Sequence, residues 1–400
     1  MTRFAADRPL GVAPATALDY RELARRRLPR QLFDYIDGGA YDEATLRANV
    51  ADLERVLLRQ VVMRDVSVRD PSVDVLGQRL ALPIVLAPVG LGGMLARRAE
   101  VQAARAAERA GVPFTESTVS ICSIEEVAAA KTTPPWFQLY LMRDRGYAQD
   151  LLARAQAVGS PVLLLTIDLA VVGARHRDTR NAVVSAPSAP RATLRRALDL
   201  IAHPRWIADV PLGGRPLTFG NLEKAVPGAG SPAGFKDWVD SQFDPSVTWK
   251  DIEWVRENWD GRLVVKGVLD PEDARRAAEA GVDGIVVSNH GGRQLDAVPS
   301  TARALPEVVD AVGDEVEVLA DGGVRTGLDV VKMVAMGARA VLIGRAWAWA
   351  VAARGEAGVR HVLDVMKADI DTALGLTGQT AIADVDRSAL YNGGAPVAQP

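Results

Sequence analysis

DGIVVSNHGGRQLD, residues 283–296, begins as a strand and ends as a site. Gly284 precedes the β-branched run Ile285-Val286-Val287, which predicts a short buried strand. Ser288-Asn289-His290-Gly291-Gly292-Arg293 follows, with polar groups on a backbone loosened by two glycines. A buried strand opening onto such a loop is where α/β enzymes place their chemistry. His290 exchanges a proton near neutral pH, and Arg293 can grip a carboxylate or phosphate with two prongs. A packing histidine beside a surface arginine is the bland alternative, so the rest of the chain has to decide.

Moving outward, the same strand pattern recurs at Pro83–Ala87, Val112–Thr115, Trp136–Leu141, Pro161–Ile167, Leu263–Val265, Gly284–Val287, Val316–Ala320 and Ala340–Ile343. Between these runs lie Ala-, Glu- and Arg-rich segments with helix signals. Asp270-Pro271 supplies an N-cap and a first-turn proline with Gly281 as the stop, and Ser123 with Glu126 reads as a capping box. Thr326 caps a helix that Gly337 ends. Eight such alternations predict one (β/α)8 TIM barrel of the α/β class, about residues 83–376, in a single domain covering 1–400. Residues 1–16 read as a loose leader and residues 17–60 as helical.

The regularity breaks between Asp168 and Trp249, too long for an ordinary strand–helix loop. An insertion of about residues 185–245 is expected there, rich in Pro and Gly at 187–190 and 226–234. Within it, RATLRRALDLIAHPRW sets Leu194, Leu198 and Ile201 on one helical face, with Arg191, Arg195, Arg196 and Arg205 nearby. Such a helix lies on a membrane surface or packs on the barrel rim.

Composition narrows the class. A net charge of −3 over 400 residues gives no general pull towards nucleic acid or acidic lipid. One cysteine, Cys122, excludes an internal disulfide and suits a reducing compartment. The first residues, MTRFAADRPLGVAP, lack the apolar core of a secretory signal. No apolar run is long enough to span a bilayer. No metal-ligand spacing stands out.

In a barrel, the C-terminal strand ends converge on one site. Taken in order they are Ala87-Pro88-Val89-Gly90, Ser117-Thr118, Gln138 with Tyr140, Thr166 with Asp168, Lys266, His290 with Arg293, Asp321-Gly322-Gly323-Val324-Arg325, and Gly344-Arg345. Buried polar groups are costly unless paired, so a ring of them implies a ligand. Glycines, two arginines and a helix N-terminus after the last two strands occupy the usual phosphate position of this fold. Ser117, Gln138 and Thr166 suit the edge of a heteroaromatic ring, and Lys266 would stand beside that ring as a fixed charge. FMN meets all of these demands. An internal ion pair is the bland account of Lys266.

These residues sit in longer motifs that resemble the FMN-dependent α-hydroxy acid oxidising family, which includes glycolate oxidase, lactate dehydrogenases and mandelate dehydrogenase. The motifs are SNHGGRQLD at 288–296, LAPVG at 86–90, WFQLY at 136–140, KGVLDPEDA at 266–274 and LADGGVRTGLDVVKM at 319–333. The similarity runs from about Tyr20 to about Thr380. FDYIDGGAYDEATLRANV and FDPSVTWKDIEWVRENWDG bring it closest to the bacterial respiratory L-lactate dehydrogenases.

The resemblance implies His290 as the base and Asp168 as its partner. It implies Arg293, Arg175 and Tyr35 as the carboxylate clamp, and Tyr140 at the reacting hydroxyl. It implies Pro88, Val89, Gly90, Ser117, Gln138, Thr166 and Lys266 around the flavin ring, and Asp321, Gly322, Gly323, Arg325, Gly344 and Arg345 at the phosphate. The expected reaction is oxidation of an L-2-hydroxy acid, with L-lactate as the first choice. The expected acceptor is a quinone or respiratory carrier, and the expected setting a homotetramer peripheral to the inner face of the cell membrane. A soluble oxidase that makes peroxide is the alternative, as is a non-redox sugar-phosphate isomerase, lyase or binding module. Four positions depart from the family: Gly90 where relatives have alanine, which leaves room for a larger substrate side chain, Val119 for a tryptophan, Glu116 for an apolar residue, and Ala170 for a proline.

Overall fold

The computed structural model describes residues 14–181, 190–223 and 242–391. Most of the expected leader, and the Pro/Gly-rich stretches at 187–189 and 226–234, lie outside the described residues. An antiparallel hairpin, β1 (Val73–Val75) and β2 (Gln78–Leu80), precedes eight parallel strands. These are β3 (Ile84–Leu86), β4 (Thr115–Ser117), β5 (Trp136–Tyr140), β6 (Val162–Thr166), β7 (Arg262–Val268), β8 (Gly284–Val287), β9 (Glu317–Asp321) and β10 (Val341–Ile343).

Their order is β3-β10-β9-β8-β7-β6-β5-β4. Leu86 of β3 bridges Phe114, just ahead of β4, so the first and last strands meet in a (β/α)8 barrel. Parallel strands covered on both faces bury nearly every residue, which is why the runs are continuously apolar. Helices with the expected caps pack outside. Thr326 makes a full capping box, and Asp270 caps Pro271–Glu279.

The hairpin was not expected, because three-residue strands show too little alternation to read. Its Leu76-Gly77 turn has positive φ at both positions, the geometry of a tight hairpin. The Leu76 N–H donates to the Glu317 carboxylate at 2.9 Å, so the hairpin sits at the N-terminal end of the barrel, away from the chemistry.

Three local expectations need correction. Residues 17–60 form three helices, Ala17–Arg27, Arg30–Asp37 and Ala44–Arg55, followed by extended chain. Pro29 holds Leu28 out of the helical region, and Gly38-Gly39 break the second gap. The second barrel strand lies at Thr115–Ser117 rather than Val112–Thr115, because Pro113 has no N–H to give a ladder. Ser123 does accept from the Glu126 N–H, but the Glu126 carboxylate turns away to pair with Arg98, so the capping box is only half made.

The amphipathic helix is present at Pro190–Ile201, with the side chains of residues 190–192 outside the described set. Asp199 accepts from the Arg30 N–H at 2.8 Å, and Leu200 packs against the core. Leu194, Leu198 and Ile201 face outward at 58%, 57% and 69% exposure. No helix among the described residues is long and apolar enough to cross a membrane.

Candidate active site

The strand ends bring the expected residues to one mouth. Strand β7 carries Lys266, and its Nζ lies 3.1 Å from Asp321 of β9 and 3.1 Å from the Ser288 hydroxyl beyond β8. Ser288 in turn donates to Asp321 at 2.7 Å and accepts the His290 N–H at 3.0 Å. Burial works to lower the Lys266 pKa, but Asp321 and Asp168 outweigh it and the net direction is up. The lysine therefore stays cationic. The internal ion pair weighed for Lys266 exists, and it fixes the ammonium at the mouth rather than removing it. Asp321, expected at the phosphate, turns its carboxylate to Lys266 and Ser288 at the start of that loop.

His290 sits at φ 57°. Its Nδ1 is 2.9 Å from the Asp168 carboxylate. A carboxylate at that nitrogen calls for the N–H there and leaves Nε2 as a free base. Burial lowers the His290 pKa, with Lys266 and Arg175 adding to it and Asp168 opposing. The resting imidazole is neutral, the state a base requires. Burial raises the Asp168 pKa, but His290 and Lys266 overcome that and hold it down. The second Asp168 oxygen has no hydrogen-bond partner among the described residues.

Backbone geometry makes this approach feasible. The β7–β8 register slips between Lys266 and Val268 at Gly267, whose φ is 116°. A Cβ on Gly267 would stand 2.5 Å from the Asp168 Cβ.

Beside the dyad lies a cluster of guanidiniums. Arg293 donates to the Tyr35 and Gly38 carbonyls at 2.7 and 2.9 Å and stacks 5.1 Å over the Tyr35 ring. Arg175 reaches the Arg293 carbonyl at 3.4 Å. Burial, with Arg175 close by, pushes the Arg293 pKa down to about 10. Neither arginine has a carboxylate within ion-pair distance among the described residues, although Asp178 lies near enough to oppose the fall in the Arg293 pKa, so the pair keeps a net positive charge at the mouth. Tyr140 borders it, its pKa pushed up by burial and by Asp168, so the phenol keeps its proton. The Tyr140 ring meets Phe243 edge-on at 5.4 Å. Tyr35 points its hydroxyl at the Gly90 carbonyl, 3.4 Å away.

The polar edge expected of a ring site is a connected chain. Ser117 Oγ donates to Gln138 Oε1 at 3.1 Å, and Gln138 Nε2 to Thr166 Oγ1 at 3.1 Å. Pro88, Val89 and Gly90 follow β3 next to it. A Cβ on Gly90 would meet Val119 at 2.7 Å, so the room expected at Gly90 is already bordered by Val119.

The anion position shows the same unmet charge. Arg325 donates to the Val324 carbonyl and stacks 5.0 Å from the Trp349 ring. Arg345 donates to the Gly291 and Gly38 carbonyls at 2.9 and 2.7 Å. Burial lowers both pKa values, Arg325 to about 10, and Arg293 and Arg325 press Arg345 further down. Neither has an ion-pair partner among the described residues. Gly344 opens the helix Arg345–Thr377, and a Cβ there would meet nothing closer than 3.8 Å. Cations without an ion-pair partner, at a helix N-terminus with bare backbone, fit a phosphate. The lysine and the amide–hydroxyl chain fit a polar heteroaromatic ring.

The sequence did not show what locks this mouth in place. Asn49 and Asn289 exchange two side-chain hydrogen bonds at 2.8 Å, and Asn49 also accepts the Thr301 N–H. Gly323 is bare where Asn49 passes. Gln294 donates to the Asp168 and Val171 carbonyls. Asp37 anchors Arg21 and Arg177. Asn289 and Gln294 lie inside the opening stretch, but only the fold reveals their partners.

The comparisons agree with this geometry. A family model described as FMN-dependent dehydrogenase matches residues 24–392. A protein named L-lactate dehydrogenase from Caulobacter vibrioides (strain NA1000 / CB15N) is 56% identical over 376 residues, 94% of this chain and 97% of that one. Another of that name from Stenotrophomonas maltophilia (strain R551-3) is 54% identical, covering 94% and 99%. The structure of the monotopic membrane protein (S)-mandelate dehydrogenase superposes with a TM-score of 0.89 at 38% identity, over 95% of this chain and 100% of that one. A mandelate oxidase structure gives 0.81 at 38% identity, over 95% and 98%. The chain belongs to the FMN-dependent dehydrogenase family, and FMN is its cofactor.

Proposed function

We propose that this enzyme oxidises an L-2-hydroxy acid, L-lactate first, to the 2-oxo acid and delivers the electrons to a quinone or similar respiratory acceptor. The observation that carries the reading is the His290–Asp168 pair, 2.9 Å apart, beside two guanidiniums with no carboxylate of their own. Arg293 and Arg175, with Tyr35, would take the substrate carboxylate and so aim the hydroxyl-bearing carbon. Tyr140 keeps a proton to offer the substrate oxygen. His290 would receive a substrate proton at Nε2, and Asp168 would stabilise the imidazolium that results. Bound FMN supplies the two-electron sink. Ser117, Gln138, Thr166 and Lys266, with the backbone of Pro88–Gly90, are assigned to its ring. Asp321, Gly322, Gly323, Arg325, Gly344 and Arg345 are assigned to its phosphate end. Lys266 keeps a positive charge where negative charge grows on reduction.

The names of the relatives support lactate. One continuous core from Ala17 to Leu390 supports a single working domain. The outward apolar face of Pro190–Ile201 supports an acceptor met at a membrane surface, and with it a peripheral position on the inner face. A homotetramer rests on the family resemblance alone. Family membership sets aside the non-redox isomerase and lyase readings.

Anaerobic bleaching of the flavin by glycolate, L-lactate, D-lactate and mandelate, then reoxidation by quinone or air, tests the reading. L-lactate should bleach fastest, and quinone should reoxidise faster than air. Stoichiometric peroxide under air would make the enzyme an oxidase instead. Holoenzyme should co-sediment with anionic liposomes, and its absence from the pellet would remove the membrane.

A further inference from the structure

On the outer wall of the barrel, Glu126 of helix Ile124–Ala129 and four further segments line a second cavity of about 560 Å³ that opens to solvent. The four are the end of helix Ala17–Arg27, the loop entering helix Ala99–Arg109, the segment at Asp209, and a break in helix Arg345–Thr377. None of its lining residues belongs to the barrel mouth.

The lining is strongly cationic. Arg27, Arg97, Arg98, Arg105 and Arg354 meet three acids, Glu126, Asp209 and Glu356. Those acids are already matched. Arg27 pairs with Asp209 at 2.6 Å, Arg98 pairs with Glu126, and Glu356 pairs with Arg109 at 2.7 Å from outside the lining. Among the described residues, Arg97, Arg105 and Arg354 have no carboxylate within ion-pair distance. The Nε of Arg27 is buried there without a hydrogen-bond partner.

The backbone adds to this charge. The long helix breaks at Arg354 (φ −140°, ψ 18°) and Gly355 (φ 60°, ψ −147°), so a new helix N-terminus starts at the cavity wall. The Glu356 N–H there donates to Gln102 Oε1 at 2.8 Å, and the helix end adds a partial positive charge at the wall.

We propose that this cavity binds a phosphate-bearing anion. Planar guanidiniums match phosphate oxygens two-pronged, and several without an ion-pair partner at a helix N-terminus favour a multiply charged group over a single carboxylate. The volume is larger than a bare phosphate needs, so the ligand carries a body as well. That body has two sources, a soluble phosphate ester or the headgroup of an anionic phospholipid. The second is in reach. Asp209 follows Pro204–Ile207, which continues from the outward apolar face of Pro190–Ile201, and Asp199 of that helix holds the Arg30 N–H three residues beyond Arg27.

The test uses FMN-saturated holoenzyme, so that the cofactor's own phosphate position is filled. Inorganic pyrophosphate is titrated calorimetrically. Phosphatidylglycerol and phosphatidylcholine vesicles are compared by co-sedimentation. Both are repeated with the double variant Arg97→Ala/Arg105→Ala, whose two side chains lie at the protein surface. Pyrophosphate should bind once per chain, and the variant should lose about tenfold or more in affinity, with flavin content and hydroxy acid turnover unchanged. If lipid is the source, phosphatidylglycerol vesicles alone should pellet the holoenzyme, pyrophosphate should release it, and the variant should stay in solution. Failure of both probes to bind, or equal pyrophosphate binding by native and variant protein, would each overturn the proposal.

Discussion

Asp168 and Glu116 are carboxyl groups buried in the same barrel, and they end in opposite states. Asp168 lies against His290 and Lys266, and these hold its pKa down despite burial. Glu116, in the middle of β4, has no exposed surface, and neither oxygen finds a hydrogen-bond partner among the described residues. Burial drives its pKa far up, and the Glu100 carboxylate adds to that. Arg98 and Ser120 only partly oppose, and Glu125 weighs on the raising side. Glu100 itself accepts the Gly93 and Ile121 N–H groups at 2.8 and 3.0 Å and the Cys122 thiol. Both carboxyls are out of water, so burial does not separate them. The sign of the neighbouring charge does. Cations make the first an ionised partner for chemistry, while burial, reinforced by an anion, leaves the second a neutral acid.

The contrast breaks most visibly at the first group. Asp168→Asn, like His290→Ala, should slow flavin bleaching by the best substrate about 10²–10⁴-fold while FMN stays bound at full stoichiometry. Stopped-flow absorbance reads the rate, and a variant within a few-fold of native would end the assigned role. The next effect lies in pH dependence. Burial holds the His290 pKa below its ordinary 6.5, so kcat/KM should rise with pH through an ionisation below that value and then level off. Asp168 opposes that depression, so the residual activity of Asp168→Asn should ionise at still lower pH. A shift upward would show that the carboxylate does not act on the imidazole.

The smallest effect belongs to Glu116. Glu116→Leu should stabilise the fold by about 1–3 kcal/mol at neutral pH and leave turnover unchanged. A raised folded-state pKa means that the native chain holds a proton the unfolded chain releases. Stability from this group is full below its ordinary 4.5 and falls as pH rises. The melting-temperature gap between variant and native protein should therefore widen from pH 4.5 upward. A constant gap would show that Glu116 is ionised in the fold.

The barrel was legible because each parallel strand is buried on both faces and so carries an unbroken apolar run. His290, Lys266, Arg293 and Arg345 were legible because charged residues at the ends of such runs have few structural uses. The short hairpin at Val73–Leu80 was not, since three residues give no period to count. Nor was the Asn49–Asn289 pair, whose partners lie 240 positions apart. Two asparagines in a sequence look like turn formers until the chain brings them together. The direction of the Asp321 carboxylate was hidden for a related reason. Its Asp-Gly-Gly setting reads as an anion loop, and only the spatial nearness of Lys266 shows which way the carboxylate turns. Glu116 was visible as an oddity, but its state depends on Glu100, sixteen residues upstream on a neighbouring helix.

Gly267 carries a consequence for how such an enzyme can be switched off. The bulge leaves an empty spot on β7, and the Asp168 side chain fills it. One added carbon at that spot would collide with the acid and tilt it off the imidazole, though no reacting group had been removed. A screen that only truncates side chains would pass over this position, because glycine has nothing to delete. Part of the reactive spacing is thus written as missing matter in the main chain, where gain of bulk, and not loss of function groups, is the damaging mutation.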